Sequence, residues 1–346
     1  MPIVVALRIA CGVVIMALAL SPLPAGGQAP RAPVPAGPSP AAGGLAAAAT
    51  ALPQLRSLLV SHHGELIAEY YARGVRPTGL ANIKSASKSL ISSLVGVAID
   101  RGLIAGVRQP IATWFPELLQ DRDRRKASIT IEDLLTMRAG LESTSGRSYG
   151  RWVQSPNWVR FALSRPMVAA PGEAMQYSTG SSHLLSAILT KATRRSTWQF
   201  AQDTLARPLG FSLAPWPTDG QGIYFGGNEM LLTPRQMITI GELYLHRGSH
   251  GGRQVVPAAW VETSCVPRTA SVFDADRRYG YGWWIQEVEG RRACFAWGYG
   301  GQYIFVFREL DLVVVATSAT AVSEERRDHR RRLFDLIGAH VLGPLR

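Results

Sequence analysis

The sequence has little cysteine, little lysine and a low density of charge. Its 346 residues include three Cys and four Lys, and 18% of them are charged against 47% that are hydrophobic. Three cysteines are too few for a fold held together by a disulfide scaffold, and this balance excludes a wholly disordered chain. The 34 glycines show no three-residue period, which excludes a collagen-like chain. The length allows one large globular domain or two packed ones.

The net charge is nonetheless strongly positive, at +12. The basic runs at residues 122–126 and 326–332 are both interrupted by acidic residues. Neither zinc-ligand spacing nor an aromatic–basic RNA-binding pattern accompanies them. We expect a solvated basic surface that keeps the protein soluble, with no nucleic-acid partner and no metal.

The first residues are typical of a targeting segment. Residues 3–20 are apolar except for Arg8, and small residues follow at 21–27. This order predicts a secretory signal over residues 1–27 and a periplasmic or secreted protein, with an uncleaved membrane anchor as the alternative. Residues 28–51, rich in Ala, Pro and Gly, are predicted to be a linker, which leaves 52–346 as the folded domain.

Hydrophobic periodicity predicts strands at both ends of this domain and helices between them. Residues 56–71 contain two apolar runs around His63-Gly64, which is a β-hairpin pattern. The other predicted elements are helices at 85–102, 128–140, 179–193 and 234–247, strands at 279–287, 302–308 and 312–319, and a terminal helix at 324–342. We expect an α+β fold in which strands from both chain ends meet in one antiparallel sheet beside a helical part.

The strongest chemical pattern is Ser85-Ala86-Ser87-Lys88 at the start of an apolar helix. A spacing of three on a helix places the side chains of Ser85 and Lys88 on one face, about 5–6 Å apart at Cβ. A desolvated lysine that loses its proton can activate the serine as a nucleophile. Backbone N–H groups at the helix N-terminus can stabilise an oxyanion. The alternative is a capping serine followed by a surface lysine.

Two later stretches could complete such a site. Residues 171–179 form a turn that leads to Tyr177 just before a helix, and a phenol near an ammonium can relay protons. Residues 297–302 (WGYGGQ) lead into a strand, and their glycines allow a substrate to approach the backbone closely.

Together these stretches resemble the serine β-lactamase and penicillin-binding-protein superfamily, and most closely its class C-like branch of esterases and 6-aminohexanoate-dimer hydrolases. The resemblance runs from about Leu52 to the C-terminus. It rests on residues 85–89, 134–141, 171–177, 232–237, 281–284 and 300–302. It implies a β-lactamase/transpeptidase-like fold, with a central antiparallel sheet flanked by helices plus a mainly helical subdomain, and no cofactor.

The resemblance also implies roles for particular residues. Ser85 resembles the acylated nucleophile, Lys88 its general-base partner and Tyr177 the tyrosine that shares proton transfer with the lysine. Which of the last two takes the first proton stays open, since related enzymes differ. The oxyanion hole of the family maps to the backbone N–H groups of Ser85 and Tyr299.

Two positions depart from the family pattern and bear on the substrate. Thr179 stands where the second motif usually ends in Asn, and Ala296 stands where the third motif commonly begins with Lys or His. Without that cation a substrate carboxylate loses its partner, unless Arg291 or Arg292 replaces it. We therefore expect an exported serine hydrolase that cleaves a small-molecule ester or linear amide. The alternatives are a β-lactamase or D-alanyl-D-alanine peptidase, and a non-catalytic penicillin-binding-like protein.

Further residues are candidates for the pocket or for other roles. The predicted substrate-binding residues are Trp297, Gly298, Gly300, Gly301, Tyr149 and Trp152. His183 lies in an apolar helix and is more typical of a core residue than of a base. Ser148 lies in a Gly-x-Ser-x-Gly pattern, but residues 139–145 before it are too polar for the strand that an α/β-hydrolase requires. After export, Cys265 and Cys294 would form a disulfide or remain two buried thiols.

Overall fold

Strands from both ends of the domain and the helices between them make up the fold. The computed structural model describes residues 40–321 and 324–345, without the side chains of 40–43. Its strands are β1 (Leu55–His62), β2 (Glu65–Tyr71), β3 (Ala81–Asn82), β4 (Leu231–Leu232), β5 (Ser249–His250), β6 (Arg253–Gln254), β7 (Thr269–Ala270), β8 (Arg278–Tyr279), β9 (Trp284–Val288), β10 (Arg291–Gly298), β11 (Gln302–Phe307) and β12 (Leu312–Ser318). Its α-helices are α1 (Pro40–Thr50), α2 (Ser87–Asp100), α3 (Ile131–Leu135), α4 (Tyr149–Val153), α5 (Trp158–Leu163), α6 (Thr179–Thr193), α7 (Thr197–Ala201), α8 (Pro234–Leu245), α9 (Ala258–Ser264) and α10 (Arg326–Ile337).

The main sheet has eight strands in the order β2-β1-β12-β11-β10-β9-β8-β7, and its pairs are antiparallel. β1 pairs with β12, with Val60 opposite Val314, so the two ends of the domain join inside the sheet. The β1–β2 hairpin turns at His63 and Gly64, whose φ angles are +52° and +75°. A two-residue turn with two positive φ angles matches the twist of the flanking strands. The predicted sheet of strands from both chain ends is confirmed.

Side chains on the central strands alternate between two apolar layers, as the period of two in a strand requires. On β11, Ile304 and Val306 lie in one layer, and Tyr303 and Phe305 lie in the other. The first layer packs against α2 and α8, and Phe334 of α10 covers Tyr303 and Phe305 in the second. The sheet is therefore covered on both faces.

The helical part surrounds α6, which packs against α2, α3, α5 and α7. Eleven of the fifteen residues of α6 are buried, polar ones among them, so the helix is enclosed on most sides by its neighbours. This helix begins at Thr179, two residues after Tyr177, and α2 begins two residues after Ser85. The contact between α2 and α6 therefore brings two of the predicted site segments together.

Two strand predictions differ from the structure. No strand is predicted at 291–298, yet β10 lies between β9 and β11 in the sheet. The sequence does not indicate this strand because its buried segment at 293–296 is short and is flanked by the exposed Arg292 and the terminal Gly298. The single strand predicted over 279–287 is two strands, β8 and β9. Between them the chain bends at Gly282, whose φ is +74°.

The linker predicted over residues 28–51 also differs from the structure over its last part. Residues 40–50 form α1, in keeping with the high helix propensity of alanine. Leu45 and Ala49 of this helix are buried with Leu52 in the same apolar layer as Tyr303. These two buried side chains pack the Ala-rich segment against the domain.

Cys265 and Cys294 form a disulfide, with their Cα atoms 5.7 Å apart. Cys265 directly follows α9, and Cys294 lies in β10, so the bridge connects the end of this helix to the sheet. Of the two states that the sequence leaves open, the structure has the bridge.

The signal or anchor predicted over residues 1–27 lies outside the described residues. Within residues 40–321 and 324–345, no helix is both long enough and apolar enough to cross a membrane.

Candidate active site

Ser85 lies in a short 3₁₀ turn that leads directly into α2. The residue before it, Lys84, has a φ of +49°, an uncommon conformation for a residue with a side chain. Three hydrogen bonds hold this turn: the Lys84 N–H donates to Asn82 Oδ1 at 3.0 Å, and Lys84 Nζ and Asn82 Nδ2 both donate to Glu229. The turn therefore presents Ser85 at a defined position above α2.

Lys88 is buried beside Ser85, and its hydrogen-bond acceptors among the described residues are neutral. Its Nζ donates to Ser85 Oγ at 2.9 Å, to the Gly227 carbonyl at 2.8 Å and to Thr179 Oγ1 at 3.4 Å. The residue is 3% exposed, and burial lowers the pKa of its ammonium to about 7. Because desolvation penalises the charged form, a large fraction of Lys88 is a neutral amine at neutral pH.

Tyr177 is held on the other side of Ser85 by the loop at 143–145. Ser143 Oγ donates to the Tyr177 carbonyl at 2.6 Å, and the Thr179 N–H donates to Ser145 Oγ at 2.9 Å. The Tyr177 ring centroid lies 5.2 Å from Lys88 Nζ. Burial raises the pKa of its phenol to about 12, while a hydrogen bond with Ser85 lowers it. Tyr177 is therefore a neutral phenol at neutral pH.

The third wall is the turn between β10 and β11. A Cβ at Gly298 would lie 2.1 Å from the Ile83 carbonyl oxygen, so glycine allows β10 to approach the segment before Ser85. Tyr299 follows, and its carbonyl accepts from Gln302 Nε2 at 3.3 Å. The fully buried Gln302 amide also bonds the backbone of Ser318 at 2.8 Å and 3.2 Å, which fixes the turn against β12.

These segments enclose a cavity of about 680 Å³. The cavity is lined by Ser85, Gly146, Tyr177, Phe273, Trp297, Tyr299, Gly300, Gly301, Tyr303, Arg326, Arg327 and Arg330. Ser85 and Tyr177 thus open into it together with the aromatic wall and the glycine turn, as the sequence predicts. Lys88 lies behind Ser85 and is not part of the lining.

Three of the predicted substrate-binding residues do not line this cavity. Trp152 is fully buried, and its ring packs against Trp158 and Phe225. Tyr149 accepts a hydrogen bond from Asn228 at 2.7 Å, and Gly298 has the packing role described above. The aromatic side chains at 149 and 152 pack toward the core, because the side of the short helix α4 that carries them contacts α5.

The cavity is charged, although Ala296 stands where the third motif commonly begins with Lys or His. Ala296 is fully buried in the layer that faces α2, and Arg292 donates to the Cys265 carbonyl at the opposite end of β10. The cavity instead has three arginines of α10, including Arg330, whose guanidinium lies 5.9 Å from the Trp297 ring, and Arg326, which donates to Tyr299 Oη at 2.8 Å. The sequence signal was the basic run at 326–332, whose proximity to the site depends on the packing of α10.

Two other candidate residues, His183 and Ser148, do not lie at the site. His183 is fully buried and bonds Asp219 rather than Ser85. Ser148 is buried at the start of α4, with no strand before it. Sequence reasoning overlooked Gly227 and Phe273, since a loop glycine and an isolated aromatic carry no motif. Phe273 packs at 5.3 Å from the Tyr177 ring at the edge of the cavity.

No cluster of three or more His, Cys, Asp or Glu side chains is placed to bind a metal ion within the part of the chain that the structure describes.

The fold agrees with what comparison with known proteins finds. The family model described as Beta-lactamase matches residues 48–338. The chain belongs to this family, and it is a serine hydrolase of the β-lactamase-related type. The family resemblance and the β-lactamase/transpeptidase-like fold predicted from the sequence are confirmed.

Three of the proteins to which this chain is similar carry different descriptions of activity. It is 26% identical over 332 residues to the 6-aminohexanoate-dimer hydrolase of Paenarthrobacter ureafaciens, covering 85% of this chain and 82% of that one. The solved structure of EstCE1, a hydrolase with promiscuous acyltransferase activity, matches with a TM-score of 0.69 and 17% identity over 86% of this chain and 97% of its own. The class C β-lactamase of Rhodobacter sphaeroides matches with a TM-score of 0.65 and 19% identity over 88% and 100%.

Proposed function

We propose that this protein hydrolyses a carboxylic ester or linear amide through an acyl-enzyme on Ser85. The observation that carries the proposal is the 2.9 Å contact between Ser85 Oγ and Lys88 Nζ, a buried amine whose pKa burial lowers to about 7. A serine is a weak nucleophile until a neighbouring base removes its proton. Lys88 is the group that can accept this proton, because burial raises the pKa of Tyr177 to about 12 and its phenol stays protonated.

In the proposed reaction Ser85 Oγ attacks the substrate carbonyl carbon while its proton passes to Lys88 Nζ. The oxyanion forms beside the backbone N–H groups of Ser85 and Tyr299. The bond to the leaving alcohol or amine then breaks, and the leaving group takes a proton from the Lys88–Tyr177 pair. Water attacks the ester on Ser85, and its proton returns through Lys88, so the acid is released and the serine is restored.

The cavity supports a substrate that combines apolar surface with a negative charge. Trp297 and Tyr303 form a stacked wall, with ring planes within 3° of each other and centroids 6.3 Å apart. Arg326, Arg327 and Arg330 line the same cavity. A linear amide with a terminal carboxylate, as the name 6-aminohexanoate-dimer hydrolase implies for the relative, fits this combination.

The arginines also favour a second candidate, a β-lactam substrate, which carries a carboxylate as well. A panel of p-nitrophenyl butyrate, 6-aminohexanoate dimer and nitrocefin separates the two. We expect kcat/KM for the ester or the linear amide to exceed that for nitrocefin. Efficient nitrocefin hydrolysis with feeble turnover of the other two would replace the first proposal by the second.

The pH dependence should report Lys88. Burial lowers its pKa to about 7, and the base is the neutral form, so kcat/KM should rise with pH to a plateau, with a midpoint near 7. Below the midpoint the rate should fall about tenfold per pH unit. Steady-state rates on p-nitrophenyl butyrate between pH 5 and 9 measure this, and a flat profile over that range would contradict the role of Lys88.

Removal of Arg330 should affect charged substrates selectively. Arg330→Gln should lower kcat/KM for a carboxylate-bearing amide by roughly 10- to 150-fold, as the loss of one charged hydrogen bond does. The rate on p-nitrophenyl butyrate, which has no carboxylate, should stay within about twofold of the wild type. Arg331→Gln is the matched control, because Arg331 pairs with Asp328 and does not line the cavity. Equal losses on both substrates would argue against carboxylate recognition.

Export by residues 1–27 also remains our proposal. The Cys265–Cys294 disulfide supports it, because disulfides form and persist in the periplasm and outside the cell but are rare in the cytosol. The catalytic proposal does not depend on it.

A further inference from the structure

A buried histidine–aspartate pair lies behind the site and takes no part in the proposed reaction. His183 Nε2 is 3.1 Å from Asp219 Oδ2, and both side chains are inaccessible to solvent. The ring of His183 is surrounded by the aromatic side chains of Trp152, Trp158 and Phe225. A pair of ionisable groups in such a place is costly to bury, so its geometry needs a reason.

The hydrogen bonds of Asp219 set the tautomer of His183. Asp219 Oδ1 accepts the backbone N–H groups of Gln221 and Ile223, both at 2.9 Å, which leaves Oδ2 to accept from His183 Nε2. His183 Nδ1 is then an unprotonated acceptor. It accepts the N–H of Gly226 at 3.3 Å. Burial lowers the pKa of His183, although Asp219 raises it, and the neutral ring is the form that can make both bonds.

Gly226 and Gly227 pass between α6 and Lys88 with no room for side chains. A Cβ at Gly226 would lie 2.2 Å from the Ser182 carbonyl oxygen and 2.6 Å from His183 Cα. A Cβ at Gly227, whose φ is +99°, would lie 2.5 Å from Lys88 Cγ. The carbonyl of Gly227 accepts from Lys88 Nζ at 2.8 Å. The segment is thus fixed from α6 on one side and touches the lysine on the other.

We propose that His183 is a positioning residue for Lys88: through its bond to Gly226 it holds the Gly227 carbonyl where that oxygen orients Lys88 Nζ toward Ser85. The inference rests on the proposed function, because it assigns His183 a role in the base step of that reaction. His183 touches neither the cavity lining nor the reacting atoms, so its effect passes entirely through the backbone at 226–227.

Two substitutions at position 183 separate its two hydrogen bonds. His183→Gln can still donate to Asp219 but has no acceptor at the position of Nδ1, so the Gly226 bond is lost. His183→Asn places its amide oxygen near the Nδ1 position and keeps that bond while it loses Asp219. We expect kcat on p-nitrophenyl butyrate to fall by about 10²-fold in His183→Gln, as small displacements of a catalytic group can cause. KM should stay within about twofold, and His183→Asn should recover at least tenfold of the loss.

A third variant tests the tautomer. In Asp219→Asn the amide oxygen keeps the bonds to the backbone at 221 and 223, so the amide N–H₂ faces His183 Nε2 and requires it to accept. Nδ1 then carries the proton and opposes the Gly226 N–H. The same loss of kcat with KM retained is expected, and this variant serves if His183→Gln does not fold. Ser61→Ala is the control, because it breaks a 2.7 Å bond to Glu242 at the end of β1 that pairs with Val313, away from Ser318, and should lower Tm without changing kcat.

The second readout is the rate of covalent labelling of Ser85 by a fluorophosphonate at pH 9, two units above the Lys88 pKa of about 7. Slower labelling in His183→Gln and Asp219→Asn, with recovery in His183→Asn, supports positioning rather than a change in protonation. If the folded His183→Gln or Asp219→Asn protein labels and turns over at the wild-type rate, or if His183→Asn is as slow as His183→Gln, the inference is wrong. If wild-type Ser85 is not labelled at all, it is the proposed function that fails.

Discussion

Ser85→Ala should abolish covalent labelling by fluorophosphonates and lower kcat on esters by roughly 10⁴- to 10⁶-fold, as removal of a serine nucleophile does in other enzymes. The effect is large because the substitution removes the atom that forms the acyl-enzyme. The other hydroxyl bonded to Lys88 Nζ, that of Thr179, is buried and does not line the cavity. Ser85 lies at the cavity, with its Oγ bonded to Lys88 Nζ, so the change deletes a single oxygen from a partly buried side chain. The variant should therefore stay folded, with a Tm close to that of the wild type.

Mass spectrometry of labelled peptides locates the adduct, and Ser148→Ala is the control. Ser148 lies in the Gly-x-Ser-x-Gly pattern but is 8% exposed at the start of α4 and lines no part of the cavity. We expect Ser148→Ala to retain labelling and at least half of the wild-type kcat. Near-normal turnover in Ser85→Ala, or loss of activity in Ser148→Ala alone, would overturn the assignment of the nucleophile.

Lys88→Met should have the second largest effect, a loss of kcat of about 10³-fold, within the range that general-base catalysis contributes. Methionine is unbranched and apolar, so it fits the site of a lysine that is 3% exposed, and it removes only the amine. The Gly227 carbonyl loses its donor, but an ammonium that is costly to bury is removed at the same time, so Tm should change less than in a variant that breaks a buried ion pair. The labelling rate of Ser85 should fall by a similar factor, because labelling needs the same activated oxygen.

Lys126→Met provides a matched comparison, since Lys126 is a second buried lysine, 4% exposed, that does not line the cavity. Its Nζ pairs with Asp121 at 2.9 Å and donates to the Leu163 carbonyl. Loss of this pair removes the cation beside Asp121 and the donor to the buried Leu163 carbonyl, so we expect a lower Tm with kcat unchanged. If Lys88→Met keeps kcat within tenfold of the wild type, Tyr177 rather than Lys88 is the base.

The sequence by itself determined the elements whose signals are local. The helix predicted at 179–193 is α6, with the same bounds, because its apolar residues follow a helical period and Arg194 ends it in a left-handed conformation. The strands of 302–307 and 312–318 are continuous β-branched and aromatic runs, as expected where both faces of a sheet are covered. The Ser-x-x-Lys spacing likewise placed Ser85 and Lys88 on one face of the turn and helix.

Only the tertiary structure decided which distant residues surround that pair. The Gly227 carbonyl and the arginines of α10 reach the site through the packing of α6 and of the last helix, which no local pattern encodes. Trp152 and Ala296 are apolar in sequence whether they face a pocket or a core, so their burial could not be read from it. The pKa of Lys88 was decided in the same way: a lysine titrates near 7 only when several chain segments together exclude water from its amine.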